Sequence, residues 1–117
     1  MFGGGPYGDE QLEDDFYWGA AELWLATGEQ AYRLDVLRSA QHHADVFDPT
    51  GFDFDRVAAP ARLDLARLGG DLPDHNRVCA IVRQAANRLL ELQGLQPWGQ
   101  PCAPVAVWDG YGGRVIL

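Results

Sequence analysis

The apolar pattern of residues 12–27 constrains the fold more than any other feature of this chain. The stretch has the length of a helix, and Gly28 behind it offers a left-handed C-terminal stop. Its apolar residues cover most of the helix circumference: Leu12, Phe16, Trp18, Ala20, Ala21, Leu23, Trp24 and Leu25. A helix that is apolar on nearly every side has to be enclosed by neighbours. We therefore expect a helix at 12–27 that is packed from all sides, with Trp18 and Trp24 in the core.

Three further helices are predicted, over residues 30–47, 58–68 and 74–93. The helix at 30–47 is amphipathic. Its apolar stripe consists of Leu34, Leu37, Ala40, Ala44 and Phe47, and its wet face carries Arg33, Arg38 and His42. The helix at 74–93 starts with Asp74 as a plausible N-cap and stops at Gly94. Enclosed and amphipathic helices therefore alternate, which predicts an all-α fold of two hairpins side by side, each with an inner and an outer helix.

The composition limits the size of the fold and the class of partner. A chain of 117 residues forms one domain at most, with a modest core. The net charge is −8, and the only cations are dispersed arginines, which argues against a nucleic-acid partner. No apolar run approaches the roughly 18 residues of a membrane span, and the N-terminus does not have the pattern of a signal peptide. An acidic surface tolerates a neutral polysaccharide but does not identify one.

Two other features have an ordinary structural interpretation. Cys79 lies on an apolar helix stripe, which favours a buried free thiol, while a disulfide with Cys102 stays open. His42 and His43 are adjacent on a helix and point about 100° apart, so they cannot easily grip one metal ion. We expect both histidines on a solvated outer face.

Three blocks of the sequence carry a family resemblance. Residues 14–29 (DDFYWGAAELWLATGE) are similar to the segment DEFYWAAAELYLTTG of glycoside hydrolase family 9, the cellulase family of endoglucanases. Residues 52–57 (FDFDRV) with 63–66 (LDLA) resemble the start of the next inner helix in that family. Residues 98–101 (WGQP) with Val107 and Trp108 resemble a later loop. The first block is long and specific, and the others follow in the family's order.

The resemblance implies an (α/α)6 barrel, in which six hairpins close a ring, and this chain would supply four of the twelve helices. It also implies hydrolysis of β-1,4-glucan with inversion, which requires one carboxylate to activate water and another to protonate the leaving oxygen. The family's Asp-Ala-Gly-Asp motif for the base is absent from this sequence, and so is its glutamate motif for the acid. We therefore expect a fragment of a catalytic domain, from a truncated or interrupted gene, that is inactive alone and has no catalytic residue of its own.

The same resemblance implies binding residues. Asp14, Asp15 and Asp55 would bind a structural calcium ion together with carbonyl oxygens near Glu10 and Gln11, since carboxylates and carbonyls suit a hard cation. The simpler interpretation of Asp14 and Asp15 is compensation of the helix dipole. Two aromatic residues, Trp108 and Tyr7, would contact the sugar, since an aromatic face can stack on a glucose ring. The acidic pairs at 45/48 and 53/55 match no catalytic position of the family.

Two further expectations concern partners and location. The alternative function is a non-catalytic helical-hairpin scaffold that binds a protein, although no repeat of about 34 residues is visible. Exposed apolar flanks would make self-association of the fragment plausible. The family is usually secreted, but this chain shows no signal peptide, so its localisation stays open.

Overall fold

The computed structural model of the chain describes residues 12–47, 57–97 and 99, which form five helices and no strand. The helices are α1 (Leu12–Thr27), α2 (Gln30–Arg38), α3 (Ala40–His43), α4 (Ala58–Leu68) and α5 (His75–Leu95). α1 packs against α2 and α4, and α4 packs against α5. α1 and α4 are therefore neighbouring inner helices, each followed by an outer helix. This confirms the predicted all-α fold, a partial (α/α)6 barrel made of two hairpins.

The connection between α1 and α2 is short because α1 ends on a left-handed glycine. Gly28 has a φ angle of 73° and donates its backbone N–H to the carbonyl of Trp24 at 2.7 Å. The hydroxyl of Thr27 donates to the carbonyl of Leu23 at 2.6 Å. These bonds satisfy carbonyls that the helix end would leave unpaired. The predicted glycine stop is confirmed, and it turns the chain back along α1.

The described neighbours enclose α1 on one side only. Tyr17, Ala21 and Trp24 are buried, and Trp24 is 6% exposed, so its predicted place in the core is confirmed. The prediction for Trp18 is wrong, since this residue is 38% exposed and its indole N–H donates to Glu22 at 3.3 Å. Leu12, Phe16 and Leu23 are exposed as well. Their spacing places them on the opposite side of the helix from Tyr17 and Ala21.

The predicted single helix at 30–47 is wrong, because the chain breaks at Ser39. Ser39 is extended (φ −64°, ψ 135°), and its side chain accepts a hydrogen bond from the backbone N–H of Gln41 at 3.2 Å. Serine is a preferred N-cap because its hydroxyl satisfies such a free N–H group. The helix therefore stops at Arg38 and restarts as the short α3.

The break also changes which residues of this segment are buried. Val36 and His42 are fully buried, whereas Leu34, Ala40 and Ala44 of the predicted apolar stripe are exposed. Phe47 is buried as predicted, and Leu37 is half-buried. The expectation that His42 lies on a solvated face is wrong, because the restart after Ser39 turns this side chain inward. His43 is exposed as predicted, and its Nε2 bonds the carbonyl of Leu37 at 2.9 Å.

The second hairpin follows the prediction more closely. α4 has the predicted bounds and ends at Gly69, where an added Cβ would lie 2.5 Å from the carbonyl oxygen of Leu65. α5 runs past Gly94 to Leu95, so the predicted stop is wrong. Among the described glycines only Gly28 and Gly99 have a positive φ, so Gly94 adopts no left-handed conformation. A helical glycine costs only about 1 kcal/mol relative to alanine, which the preceding turns of α5 can offset.

The core lies where α1, α2, α4 and α5 meet. Its largest buried apolar members are Tyr17, Trp24, Leu65 and Leu72, and Val36 and Val78 are buried with them. Cys79 is a free thiol, but it is half-buried rather than buried. No helix in the described ranges is long and apolar enough to cross a membrane. The predicted turn at 48–51 and the segment from 100 onward, with Cys102, lie outside the described residues.

Candidate functional site

Asp14 joins the N-terminal ends of the two inner helices. Its side chain is buried, although a carboxylate at a helix start is usually solvated. Oδ2 accepts the backbone N–H of Val57 at 2.8 Å, and Oδ1 accepts the N–H of Asp15 at 3.0 Å. Val57 is the residue that precedes α4. The predicted metal-binding position of α1 is therefore tied to the start of α4.

The described residues bring together only part of the predicted calcium site. Asp14 is buried and Asp15 is exposed, one residue further along the same helix. Asp55, Glu10 and Gln11 lie outside the described residues. Within the described ranges, no group of three or more His, Cys, Asp or Glu side chains is placed to hold a metal ion. An ionised carboxylate has about four acceptor sites, so Asp14 retains capacity for a cation beside its two N–H bonds.

The predicted sugar-contacting residues, Tyr7 and Trp108, also lie outside the described residues and stay predictions. Trp18 was assigned to the core and is instead partly exposed beside Glu22. Its exposure alone does not make it a sugar platform.

A buried polar cluster, which the sequence did not predict, lies between the two hairpins. It consists of Tyr17, His42, Arg62 and Asp74. The Tyr17 hydroxyl is 2.9 Å from His42 Nδ1, and Arg62 Nε donates to the same hydroxyl at 3.2 Å. His42 Nε2 lies 3.1 Å from Asp74 Oδ2. Because Arg62 donates to the Tyr17 oxygen, the hydroxyl proton goes to His42 Nδ1, and His42 then donates from Nε2 to Asp74.

Arginine side chains attach this cluster to the backbone around α3. Nη2 of Arg62 donates to the carbonyls of Gln41 at 2.7 Å and His42 at 2.8 Å, with a longer contact to Ala44 at 3.4 Å. Nη2 of Arg77 donates to Asp74 at 2.6 Å and to the carbonyl of His42 at 3.2 Å. The carbonyls at the end of a helix need such partners when they are buried. Arg62 thus supplies the C-terminal cap of α3 from another helix.

Burial controls the protonation of the cluster. It raises the pKa of the Tyr17 hydroxyl, although the Arg62 charge opposes this. It lowers the pKa of His42, although the Asp74 carboxylate opposes this. Burial acts to raise the pKa of Asp74, but hydrogen bonds and charges from Arg77 and His42 outweigh it and lower that pKa. At neutral pH the cluster therefore holds a neutral tyrosine, a neutral histidine and an ionised aspartate.

The cluster has the order of a proton relay, but it has no access to substrate. Tyr17 and His42 are 1% and 0% exposed, so no reacting group can reach them. The arrangement therefore fixes the positions of α1, α3, α4 and α5, and we assign it no catalytic role. The sequence did not indicate this cluster, because a continuous helix over residues 30–47 would place His42 on its outer face, and the structure breaks that helix at Ser39.

Two other acidic groups are accounted for by their partners. Asp45 receives two hydrogen bonds from Arg88, at 2.7 and 3.1 Å, and these lower its pKa. Burial and a hydrogen bond with Asp64 raise the pKa of Glu22. This hydrogen bond joins α1 to α4. An inverting hydrolase needs its two carboxyl groups about 6.5–9.5 Å apart, with room for water, so this pair does not fit that role.

We expect the stability of the chain to fall as the pH is lowered from 7.5 to about 5.5, because His42 must then gain a proton. Its pKa in the folded chain is below 6.5, so near that pH the unfolded chain binds more protons. The stabilising contribution of neutral His42 is fully present above the pKa that this side chain has in the unfolded chain. It is lost as the pH falls from 7.5 to about 5.5. Urea unfolding at several pH values measures the slope.

The matched variants for this prediction are His42→Gln and His43→Gln. His43→Gln should keep the slope, since His43 is exposed. His42→Gln should be less stable at pH 7.5 but should show a flatter pH dependence. An unchanged slope in His42→Gln would mean that another group causes the effect.

The family of the chain is decided by comparison with known sequences. The model of glycosyl hydrolase family 9 matches residues 1–101, which is most of the chain. The chain belongs to glycosyl hydrolase family 9. The predicted resemblance is confirmed, and the family 9 segment includes both hairpins and the Asp14–Val57 contact.

Curated relatives agree with this membership. The chain is 45% identical to Endoglucanase C of Cellulomonas fimi over 102 residues, which is 87% of this chain and 9% of that protein. It is 41% identical to a cellulose 1,4-beta-cellobiosidase of Acetivibrio thermocellus over 44 residues, 38% of this chain and 5% of that protein. It is 42% identical to a xyloglucan-specific endo-beta-1,4-glucanase of Bacteroides ovatus over 36 residues, 31% of this chain and 6% of that protein.

The family 9 segment is thus a small part of each relative. The chain spans less than a tenth of the length of these three proteins. No solved structure gives a significant match to the chain.

Proposed function

We propose that this chain is a segment of the catalytic domain of an inverting glycoside hydrolase that cleaves β-1,4-glucan. The observation that carries the proposal is the 45% identity to Endoglucanase C along 87% of the chain. The names of two further relatives also refer to β-1,4-linked glucans. The inner and outer helices support it, because they form the two-hairpin unit of the family's barrel.

The second part of the proposal is that the 117-residue chain alone does not hydrolyse glucan. Inversion requires an acid and a base on opposite faces of the sugar. The family's Asp-Ala-Gly-Asp motif does not occur in the sequence. Among the described residues, Asp14 is bonded to backbone N–H groups, Asp45 to Arg88, and Asp74 to Arg77 and His42.

Activity on carboxymethyl cellulose tests both parts. The purified chain should release no reducing sugar above a heat-denatured sample. In a chimera, residues 1–101 of this chain replace the matching segment of Endoglucanase C. This chimera should still hydrolyse the polymer. A second chimera carrying Arg62→Met should lose its activity at a lower temperature than the first, because its segment is less stable. A folded chimera without activity would contradict the assignment of the segment, and hydrolysis by the chain alone would contradict its inactivity.

The calcium site stays a prediction, supported by the position of Asp14. Asp14 holds the N–H of Val57, and Asp55 precedes Val57 by two residues in the sequence. Calcium would bind to the three carboxylates Asp14, Asp15 and Asp55 with nearby carbonyl oxygens, and it would hold the starts of the two inner helices together. The function of such an ion is structural, and no step of hydrolysis passes through it.

We expect millimolar calcium to raise the unfolding temperature of the chain, because an ion that binds only the folded state stabilises it. Asp55→Ala should abolish the increase, and Asp53→Ala, which removes an acid outside the proposed ligand set, should keep it. Differential scanning fluorimetry with calcium, and with magnesium as the second ion, measures the shift. An equal calcium response in Asp55→Ala and the unaltered chain would refute the ligand assignment.

The alternative, a non-catalytic helical-hairpin scaffold that binds a protein, also stays a prediction. No contact or charge pattern among the described residues favours it over the hydrolase segment. The proposed substrate contacts of Tyr7 and Trp108 depend on the hydrolase assignment, and the active chimera is the background in which to test them.

A further inference from the structure

His75 and Cys79 meet at the end of α4. They are one turn apart on α5, so their side chains lie on the same face of that helix, and α5 packs against α4. Sγ of Cys79 is 3.5 Å from Nε2 of His75. Both side chains are half-buried, so solvent reaches them. Neither residue belongs to the buried polar cluster or to the predicted calcium site.

A backbone carbonyl completes a group of three donor atoms. The carbonyl oxygen of Ala66 accepts the Nε2–H of His75 at 2.9 Å, and Sγ of Cys79 lies 3.6 Å from the same oxygen. Ala66 is in the last turn of α4, where carbonyls have no partner within the helix and carry the negative end of the helix dipole. The three atoms therefore converge at a position that favours a positive charge.

The separations of these atoms match those of ligands around one zinc ion. Zinc takes cysteine sulfur at about 2.3 Å and nitrogen or oxygen at about 2.0–2.2 Å in a tetrahedron, which places the sulfur about 3.6 Å from each of the other two ligands. The observed distances from Sγ of Cys79 are 3.5 Å to Nε2 of His75 and 3.6 Å to the Ala66 oxygen. Only the distance of 2.9 Å between Nε2 and that oxygen has to widen, to about 3.4 Å, because the ion replaces the proton between them.

We propose that His75, Cys79 and the carbonyl of Ala66 bind one zinc ion. Within the described ranges no third His, Cys, Asp or Glu side chain joins them, so water is the fourth ligand. On binding, the thiol loses its proton to solvent, and the ring proton of His75 moves from Nε2 to Nδ1, which leaves a thiolate and a neutral imidazole as ligands. The ion ties the end of α4 to the start of α5. Its role is structural and does not depend on the proposed hydrolysis of glucan.

Calorimetric titration with zinc chloride measures the affinity and the stoichiometry, at about pH 7.5, where a free imidazole is mostly neutral. The unaltered chain, kept reduced, should bind one ion. Cys79→Ser and His75→Gln should each weaken binding at least about tenfold, since the loss of an outer partner of a ligand already costs about 10–100-fold. Cys102→Ser and His43→Gln are the matched controls, because each removes the same kind of side chain outside the proposed set. Both controls should keep the affinity of the unaltered chain.

Two further measurements identify the ligands. Cobalt(II) in place of zinc shows a thiolate-to-metal charge-transfer absorption only when sulfur is a ligand, and this absorption should be present in Cys102→Ser and absent in Cys79→Ser. Asp55→Ala, which removes a predicted calcium ligand, should keep the zinc affinity. A loss of zinc affinity in Asp55→Ala would mean that zinc binds at the acidic residues, and it would overturn the proposal.

The absence of zinc binding by the unaltered chain would also overturn the proposal, and so would an unchanged affinity in Cys79→Ser. A loss in Cys79→Ser that His75→Gln does not share would show that the thiol alone holds the ion, and the three-donor site would then be wrong. Circular dichroism checks the folding of each variant. If His75→Gln lacks the helical spectrum of the parent, His75→Ala replaces it, and the cobalt absorption of Cys79→Ser decides the sulfur ligand independently.

Discussion

Arg62→Met is expected to lower the free energy of unfolding by about 3–5 kcal/mol, a large share of the stability of a small domain. Arg62 is 0% exposed, and its guanidinium donates to the Tyr17 hydroxyl and to the carbonyls of Gln41 and His42. Methionine fills much of the same space but donates no hydrogen bond. Each buried acceptor that loses its donor costs about 1–3 kcal/mol.

A control variant separates the loss of the Arg62 hydrogen bonds from the general effect of removing a cation. Arg67 lies in the last turn of the same helix and is exposed, so Arg67→Met should change stability by no more than about 0.5 kcal/mol. Urea unfolding followed by circular dichroism gives both values. Similar midpoints for the two variants would show that the Arg62 hydrogen bonds add little. In that case the break at Ser39 would need another explanation.

Trp24→Ala should destabilise the chain by about 3–5 kcal/mol, the range for removing a buried large aromatic residue. Trp24 packs in the main core with Tyr17, Ala21 and Val36, and its loss leaves a cavity that the neighbouring helices cannot fill without moving. Trp18→Ala is the matched control, because it removes the same side chain from the same helix at a position that is 38% exposed.

The control should lose about 1 kcal/mol, since the Trp18 side chain is partly solvated and its bond to Glu22 is on the surface. Thermal and urea unfolding monitored by circular dichroism avoid the change in tryptophan fluorescence that both substitutions cause. If the two variants were equally stable, the distinction between a buried and an exposed face of α1 would be wrong.

The sequence predicted those helices whose limits are set locally. α1 ends at Gly28 because a glycine adopts a left-handed conformation there, and α4 keeps its predicted bounds. Ser39 also has a local capping signal, but serine occurs often inside helices. What makes the break stable is Arg62, which satisfies the carbonyls of Gln41 and His42, 21 and 20 positions earlier in the chain. Such a partner cannot be inferred from the periodicity of residues 30–47.

The candidate site was predictable to a similar extent. The family resemblance marked Asp14 as a calcium ligand, and its observed partner is the backbone N–H of Val57, which no sequence motif specifies. The burial of His42 was missed for the same reason as the break, because a helix that runs on through Ser39 places this side chain outward. Family membership, in contrast, was indicated by the close resemblance of residues 14–29 to a segment of the family, with the weaker blocks following in the family's order.

The placement of the buried residues along α5 divides that helix into two parts of unequal stability. Its first half is held by Arg77, by Val78 and by Ala85, whereas beyond Ala85 none of its residues is fully buried. Cooperative units of a protein open at a free energy set by the buried contacts that they lose. The last turns of α5 can therefore unwind while the rest of the core stays closed, so local opening starts at this end without disturbing the start of the inner helices.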